Sequence, residues 1–237
     1  DGDISIWDVK KKSKIRVLSE ADVRHNTPRF SPDGSQLAVT IWHTGLRIYS
    51  TANYELLHEV SLKEEMRDNP RWSPNGQYFS AVTDDFAVVW ETVGWTEVCR
   101  VEVGHQAPQC WSSDSKRLLT RGTSPDSANF WEVASGKRLQ QFQFTTHVSD
   151  LSVNHDDSRI AVSSAKSIEI YNCKTGAPTM SLKVGKMVIR GNWSPDGKRI
   201  VATILEDGIK IWDARLGYER HAKLGDGPLV SEGKRQD

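Results

Sequence analysis

This 237-residue chain predicts an all-β fold assembled from a tandem repeat of about 41 residues, and two markers in phase carry that reading. The first is an aromatic residue followed by a short polar or acidic one: Trp7-Asp8, Tyr49-Ser50, Trp90-Glu91, Trp131-Glu132, Tyr171-Asn172 and Trp212-Asp213. Successive aromatics are 42, 41, 41, 40 and 41 residues apart. A fixed period of this length marks a repeat architecture, in which each unit buries its apolar surface against its neighbours. The second marker is a turn: Phe30-Ser31-Pro32-Asp33-Gly34, Trp72-Ser73-Pro74-Asn75-Gly76 and Trp193-Ser194-Pro195-Asp196-Gly197. Worn copies stand at Trp111-Ser112-Ser113-Asp114-Ser115 and Val153-Asn154-His155-Asp156-Asp157. Proline presets φ at the first corner, Asp or Asn suits the second, and glycine takes the left-handed position, so each copy predicts a β-hairpin.

The strand ending at each aromatic shows period two. Apolar residues stand one and three places before it: Ile4 and Ile6, Leu46 and Ile48, Ala87 and Val89, Ala128 and Phe130, Ile168 and Ile170, Ile209 and Ile211. That alternation packs one side of a strand.

On these residues the chain resembles the WD40-repeat β-propeller family over residues 1–223. The resemblance implies blades of four antiparallel strands, a to d from the central channel outward, with strand c ending at the aromatic–acid pair. It places strands c and d of a half blade at 3–20, and full blades at about 27–60, 69–103, 108–144, 149–183 and 188–223. Residues 224–237 read as a polar tail. About five and a half blades is an incomplete propeller, since propellers close with four to eight. The chain opens inside a repeat without Met, so it reads as part of a longer polypeptide with an apolar blade face left uncovered. Trp7, Tyr49, Trp90, Trp131, Tyr171 and Trp212 are expected to be buried between blades.

The sequence departs from the family in one respect. The usual Gly-His before strand a recurs only as Gly104-His105, too close to Trp111 for the usual geometry. Strand-b hydroxyls stand at Thr40, Ser80, Thr120, Ser163 and Thr203, and b–c turn acids at Asp85, Asp126 and Asp207, but the histidine of the buried tetrad is missing. Packing of large side chains is expected to replace it, with a short strand a.

Composition narrows the function. Lys plus Arg is 31 and Asp plus Glu is 31, so no basic field draws nucleic acid or an anionic membrane. No apolar run is long enough to span a bilayer, and Asp1-Gly2-Asp3 is not the start of a signal peptide. The three cysteines, Cys99, Cys110 and Cys173, follow no pairing or metal spacing. Cys99 and Cys110 fall on neighbouring predicted strands, which leaves a disulfide open; buried free thiols in a reducing, cytoplasmic setting are the expectation.

Candidate chemistry is sparse. His25, His105 and His147 occupy similar repeat positions, but no carboxylate or thiol recurs beside them, so solvated loop histidines are the simpler reading and no metal is expected. Asp84-Asp85 and Asp156-Asp157 fall where turns are required. Lys10-Lys11-Lys12, with Lys14 and Arg16, reads as a solvated hairpin tip rather than a localisation or anion-binding patch. No nucleophile elbow or phosphate loop is present, and no cofactor is expected. Strand a lines the channel in the family that the chain resembles. Arg29 and Arg71, one place before the strand-a aromatic, Arg190, three before, and Gln109 and Asp150 at a similar level would therefore surround its mouth. His105 sits in an adjoining loop.

The expected function is a non-catalytic protein–protein interaction scaffold or sensor module. Other proteins or peptides would bind its top face and channel mouth, and the missing blade or blades of the parent chain would be a further partner. One alternative is the regulatory region of a larger signalling enzyme, a kinase or NTPase, whose catalytic domain lies elsewhere. A second is a small-ligand or enzymatic propeller acting at the channel mouth.

Overall fold

The computed structural model describes residues 3–18, 27–41, 45–62, 64, 66, 70–104 and 107–215. These hold 21 strands and no helix. Strands β1 (Ile4–Asp8) and β2 (Ser13–Leu18) form a two-stranded antiparallel sheet. A four-stranded sheet follows: β3 (Pro28–Phe30), β4 (Gln36–Ile41), β5 (Gly45–Ser50) and β6 (Leu56–Ser61). The next has β7 (Arg71–Trp72), β8 (Tyr78–Val82), β9 (Phe86–Glu91) and β10 (Glu97–Glu102). The third has β11 (Gln109–Trp111), β12 (Arg117–Arg121), β13 (Ser127–Glu132) and β14 (Arg138–Gln143). The fourth has β15 (Asp150–Val153), β16 (Arg159–Ser163), β17 (Ser167–Asn172) and β18 (Pro178–Lys183). The last has three strands, β19 (Val188–Trp193), β20 (Arg199–Ile204) and β21 (Gly208–Asp213). Residues 216–223, where a fourth strand was expected, and the tail at 224–237 lie outside the described residues. All pairings are antiparallel between sequence neighbours, so the all-β, repeated four-stranded reading holds.

Contacts divide the chain into two compact units, residues 1–106 with 133–136, and residues 107–132 with 137–237. The first has its main core around Ile48, Phe79, Val88, Trp90 and Trp95. A smaller cluster seats Ile6 of the two-stranded sheet on Leu37, Val39 and Tyr49. The second unit has one core around Phe130, Phe142, Phe144, Ile160 and Tyr171, and another around Ile168, Ile170, Trp193, Ile200 and Trp212.

The turns are built as their residues require. The hydroxyl of Ser31 donates to Asp33 Oδ1 at 2.6 Å and accepts from the Gln36 backbone N–H at 2.9 Å. Ser73, Ser112 and Ser194 repeat both bonds, with Asn75, Asp114 and Asp196 as acceptors. In the worn copy Asn154 replaces the serine, and its Oδ1 accepts the Arg159 N–H at 2.8 Å. Gly34, Gly76 and Gly197 have φ of 74°, 72° and 64°, and Ser115 and Asp157 hold the same position at 61° and 56°. The left-handed corner is therefore kept even where glycine is lost.

Three expectations need correction. Trp7 is 54% exposed rather than buried. Each later aromatic faces an apolar residue of strand b: Tyr49 opposite Leu37, Trp90 opposite Phe79, Trp212 opposite Ile200. Among the described strands Trp7 has only β2 beside it, paired with Lys14, whose ammonium lies 5.5 Å from the ring centroid. Trp131 is half-buried rather than buried; its indole N–H reaches the hydroxyl of Thr120 at 2.9 Å. Finally, Ile209 and Ile211 are 71% and 47% exposed, although their counterparts in the four-stranded sheets are buried. Paired with Thr203 and Val201, they form a side of β19–β21 that no sheet covers among the described residues.

Candidate protein-interaction surface

The structure replaces the absent histidine with bonds from strand a. The indole N–H of Trp72 donates to the Arg29 carbonyl, one strand a to the preceding one, at 2.9 Å. Trp193 repeats this with the Ser152 carbonyl at 3.2 Å, and its backbone N–H bonds the Ser152 hydroxyl at 3.3 Å. The family-like pair of strand-c indole and strand-b hydroxyl forms at Trp131 and Thr120. At Tyr171 no indole is available; its phenol instead lies 3.4 Å from the Thr145 hydroxyl, and Ser163 Oγ is buried without a partner among the described residues. Strand a is short in several blades, with only two residues in β7.

The candidate residues fall into two environments. In the first unit Arg29 and Arg71 are half-buried on successive strands a, and Arg29 Nη1 donates to the Pro28 carbonyl at 3.1 Å. In the second unit Gln109 and Asp150 are buried on β11 and β15, whereas Arg190 is exposed on β19. Asp150 Oδ2 accepts the Gly191 N–H at 3.3 Å, which ties one strand a to the next. His105 lies outside the described residues, as does His25; His147 is exposed. Neither Arg71 nor Arg190 is held by an ion pair among the described residues.

Sequence reasoning missed the residues that join blades at the turn end of the strands. Asp157, in the position of the turn glycine, accepts from Ser113 N–H at 2.9 Å, Ser113 Oγ at 3.0 Å and Arg117 Nη2 at 3.0 Å. Arg159 is buried, with its guanidinium carbon 4.5 Å from the Trp193 ring centroid. It donates to the Ala214 carbonyl at 2.6 Å and the Gly197 carbonyl at 3.4 Å. The available signal was the recurrence of arginine five places after the turn serine or asparagine, at Arg117, Arg159 and Arg199.

The electrostatics favour fixed charge over proton transfer. The Ser31 hydroxyl, then the Ser35 backbone and hydroxyl, hold the Asp33 carboxyl down to about 2. Asp196 is lowered by the Ser194 hydroxyl, and Asp207 by Lys186 at 2.7 Å and Lys210 at 2.9 Å. Burial pushes the thiols the other way, Cys99 up to about 11 and Cys173 up to about 12, and none of the three cysteines forms a disulfide. For a carboxyl or a thiol, general acid–base catalysis near neutrality needs a shift toward pH 7, and these groups move away from it. Among the described residues no group of three or more His, Cys, Asp or Glu is arranged to hold a metal ion. No helix of the described residues is long and apolar enough to cross a membrane.

A pH prediction follows from Asp33. Its folded pKa lies below the ordinary 3.8, so the stabilisation it adds is fully present above that value. It is lost as pH falls from about 4 through about 2. The Asp33 carboxyl carbon, followed by NMR, is expected to titrate with a midpoint near 2; a midpoint near 4 would mean the serine bonds do not form in solution.

No family model matches the sequence. Three proteins are similar to it over most of its length. Protein hir1 of Schizosaccharomyces pombe is 27% identical over an alignment of 243 residues, covering 81% of this chain and 26% of that protein. COMPASS component SWD3 of Saccharomyces cerevisiae is 25% identical, with 83% of this chain and 67% of that protein covered. Anaphase-promoting complex subunit cdh1 of Dictyostelium discoideum is 26% identical, with 90% of this chain and 34% of that protein covered. The chain thus spans about a quarter of the first relative and a third of the third.

Proposed function

We propose, from the premise that this chain is a WD40-type array of propeller blades, that it is a non-catalytic protein-interaction module of a larger protein. Two of its relatives are named as parts of multiprotein complexes, COMPASS and the anaphase-promoting complex. The observation that carries the reading is how polar groups are used. Turn serines, acids, half-buried Arg117 and buried Arg159 are spent on hydrogen bonds within and between blades. Arg71 and Arg190 are charged residues on strand a with no ion pair among the described residues.

The proposed binding face is formed by the d–a and b–c loops, at the strand ends away from the Ser-Pro-Asp-Gly turns. Arg29 and Arg71 in the first unit, and Arg190 in the second, are each anchors for an acidic or carbonyl-rich partner segment. Arginine is enriched among interface hot spots because its planar fork binds carboxylates bidentately. The uncovered side of β19–β21, with Val201, Ile209 and Ile211, receives a further blade of the longer protein.

The test is a pull-down with the full-length protein carrying Arg71→Glu and Arg190→Glu, against a control Lys198→Glu beside a turn. The double reversal is expected to weaken partner capture at least tenfold, as loss of true anchors does, and the control to leave it unchanged. Equal loss in both, or loss in the control alone, overturns the assignment of the face.

A further inference from the structure

The turn end of the first unit holds a cleft of about 410 Å³ lined by two consecutive turns, among them Ser31, Asp33, Gln36, Trp72, Gly76 and Thr92. Four of these have counterparts in the second unit by repeat position. Gln36 stands five places after Ser31, as Arg159 stands five after Asn154. Trp72 and Gly76 flank Ser73 as Trp193 and Gly197 flank Ser194, and Thr92 follows Trp90 by two places as Ala214 follows Trp212. In the second unit these positions are one filled site. The Arg159 guanidinium lies over the Trp193 ring and donates to the carbonyls of Gly197 and Ala214.

The backbone frame is the same at both places. Thr92 N–H donates to the Gln77 carbonyl at 3.0 Å, and Ala214 N–H to the Lys198 carbonyl at 2.8 Å. Both tryptophans donate their indole N–H to the strand a before them. What differs is the occupant and one neighbour: Thr92, where the second unit has Ala214, donates its hydroxyl to the Gly76 carbonyl at 2.8 Å and leaves that oxygen one lone pair for a further donor. Glutamine is shorter than arginine, uncharged, and has no guanidinium fork. Its own Oε1 is buried and accepts no hydrogen bond among the described residues. No lysine or arginine is among the described lining residues, while Asp33 adds an exposed carboxylate kept ionised by its serines. The cleft therefore keeps the parts of a guanidinium receptor without its guanidinium: the Trp72 indole in its lining, the carbonyl of Gly76 with one lone pair taken by Thr92, an orphan amide oxygen and a fixed negative charge.

We propose that this cleft binds an arginine side chain presented by a partner protein, seated between the Ser31–Gln36 and Ser73–Gly76 turns as Arg159 is seated in the second unit. This site is separate from the loop face proposed above, and either can fail without the other. Arginine is favoured over lysine because two carbonyls and a ring face ask for a planar, multiply donating cation, which a single ammonium does not supply.

The test is an NMR titration of the full chain, following the Trp72 indole N–H, with a capped Gly-Arg-Gly peptide and its lysine and citrulline counterparts. The arginine peptide is expected to give a saturable shift, with binding at least tenfold weaker for lysine and for uncharged citrulline. Gln36→Arg supplies the guanidinium from within and is expected to abolish that shift and raise the melting temperature. Gln36→Glu adds a second acceptor charge and is expected to tighten binding. Opposite effects at one position separate ligand recognition from damage to the fold. No saturable shift in the native protein, equal binding of lysine, or undiminished binding in Gln36→Arg each overturns the proposal.

Discussion

Trp90→Ala is expected to cost about 3–5 kcal/mol, the range for removing a fully buried large aromatic. Trp90 is 1% exposed and packs with Phe79, whose ring centroid is 6.4 Å away, in the core that also holds Ile48, Val88 and Trp95. No rearrangement of β8 and β9 refills that volume, because Phe79 and Val88 are already buried and held in register. Neighbouring blades share the cavity, so loss of hydrogen-exchange protection is expected first in β3–β10 and later in β15–β21. Trp7→Ala, at the corresponding repeat position, is expected to change stability by no more than about 0.5 kcal/mol, since its ring is largely in solvent. Urea unfolding of the two variants checks both. Similar losses would mean that Trp7 is covered in solution, and a small loss for Trp90 would mean that the blade core is looser than its packing implies.

Arg159→Met is expected to cost on the order of 2–4 kcal/mol. Methionine keeps much of the aliphatic stem but leaves the carbonyls of Gly197 and Ala214 without their charged donor. Hydrogen bonds from charged groups contribute about 1.5–3 kcal/mol each, and a desolvated cation–π contact about 2 kcal/mol, with overlap between them. Arg159→Lys is expected to fall in between, since an ammonium cannot reach both carbonyls in one plane. The check is the denaturant midpoint together with hydrogen exchange at β19 to β21. If Arg159→Met stays within about 0.5 kcal/mol of the native protein, the guanidinium is not part of what holds the last sheet to its neighbour.

Local chemistry was legible in the residues themselves. Periodicity of the aromatic–acid pairs set the number of repeats, because each blade must end strand c at the same place to pack on the next. The turns followed from Ser31-Pro32-Asp33-Gly34 and its copies, since corner geometry restricts which residues fit. Even the worn copy at Asn154–Asp157 was readable as a turn: its left-handed corner accepts Asp at the expense of glycine's freedom. The site was less legible. Asp150 and Gln109 look from their spacing like channel-mouth polar groups, yet both are buried. Asp156-Asp157 looks like a turn and no more, yet Asp157 clasps Ser113 and Arg117.

These differences have one physical reason. A turn or an alternating strand is decided by interactions within a few residues, so the sequence of one repeat determines it. Burial of Trp90 against exposure of Trp7, and a filled Arg159 site against an open one at Gln36, are decided by which side chain a neighbouring blade, some forty residues away, brings alongside. Repeat position determines where such a contact can form. Only the packed tertiary structure decides whether the partner is there, and whether the polar groups it meets are satisfied.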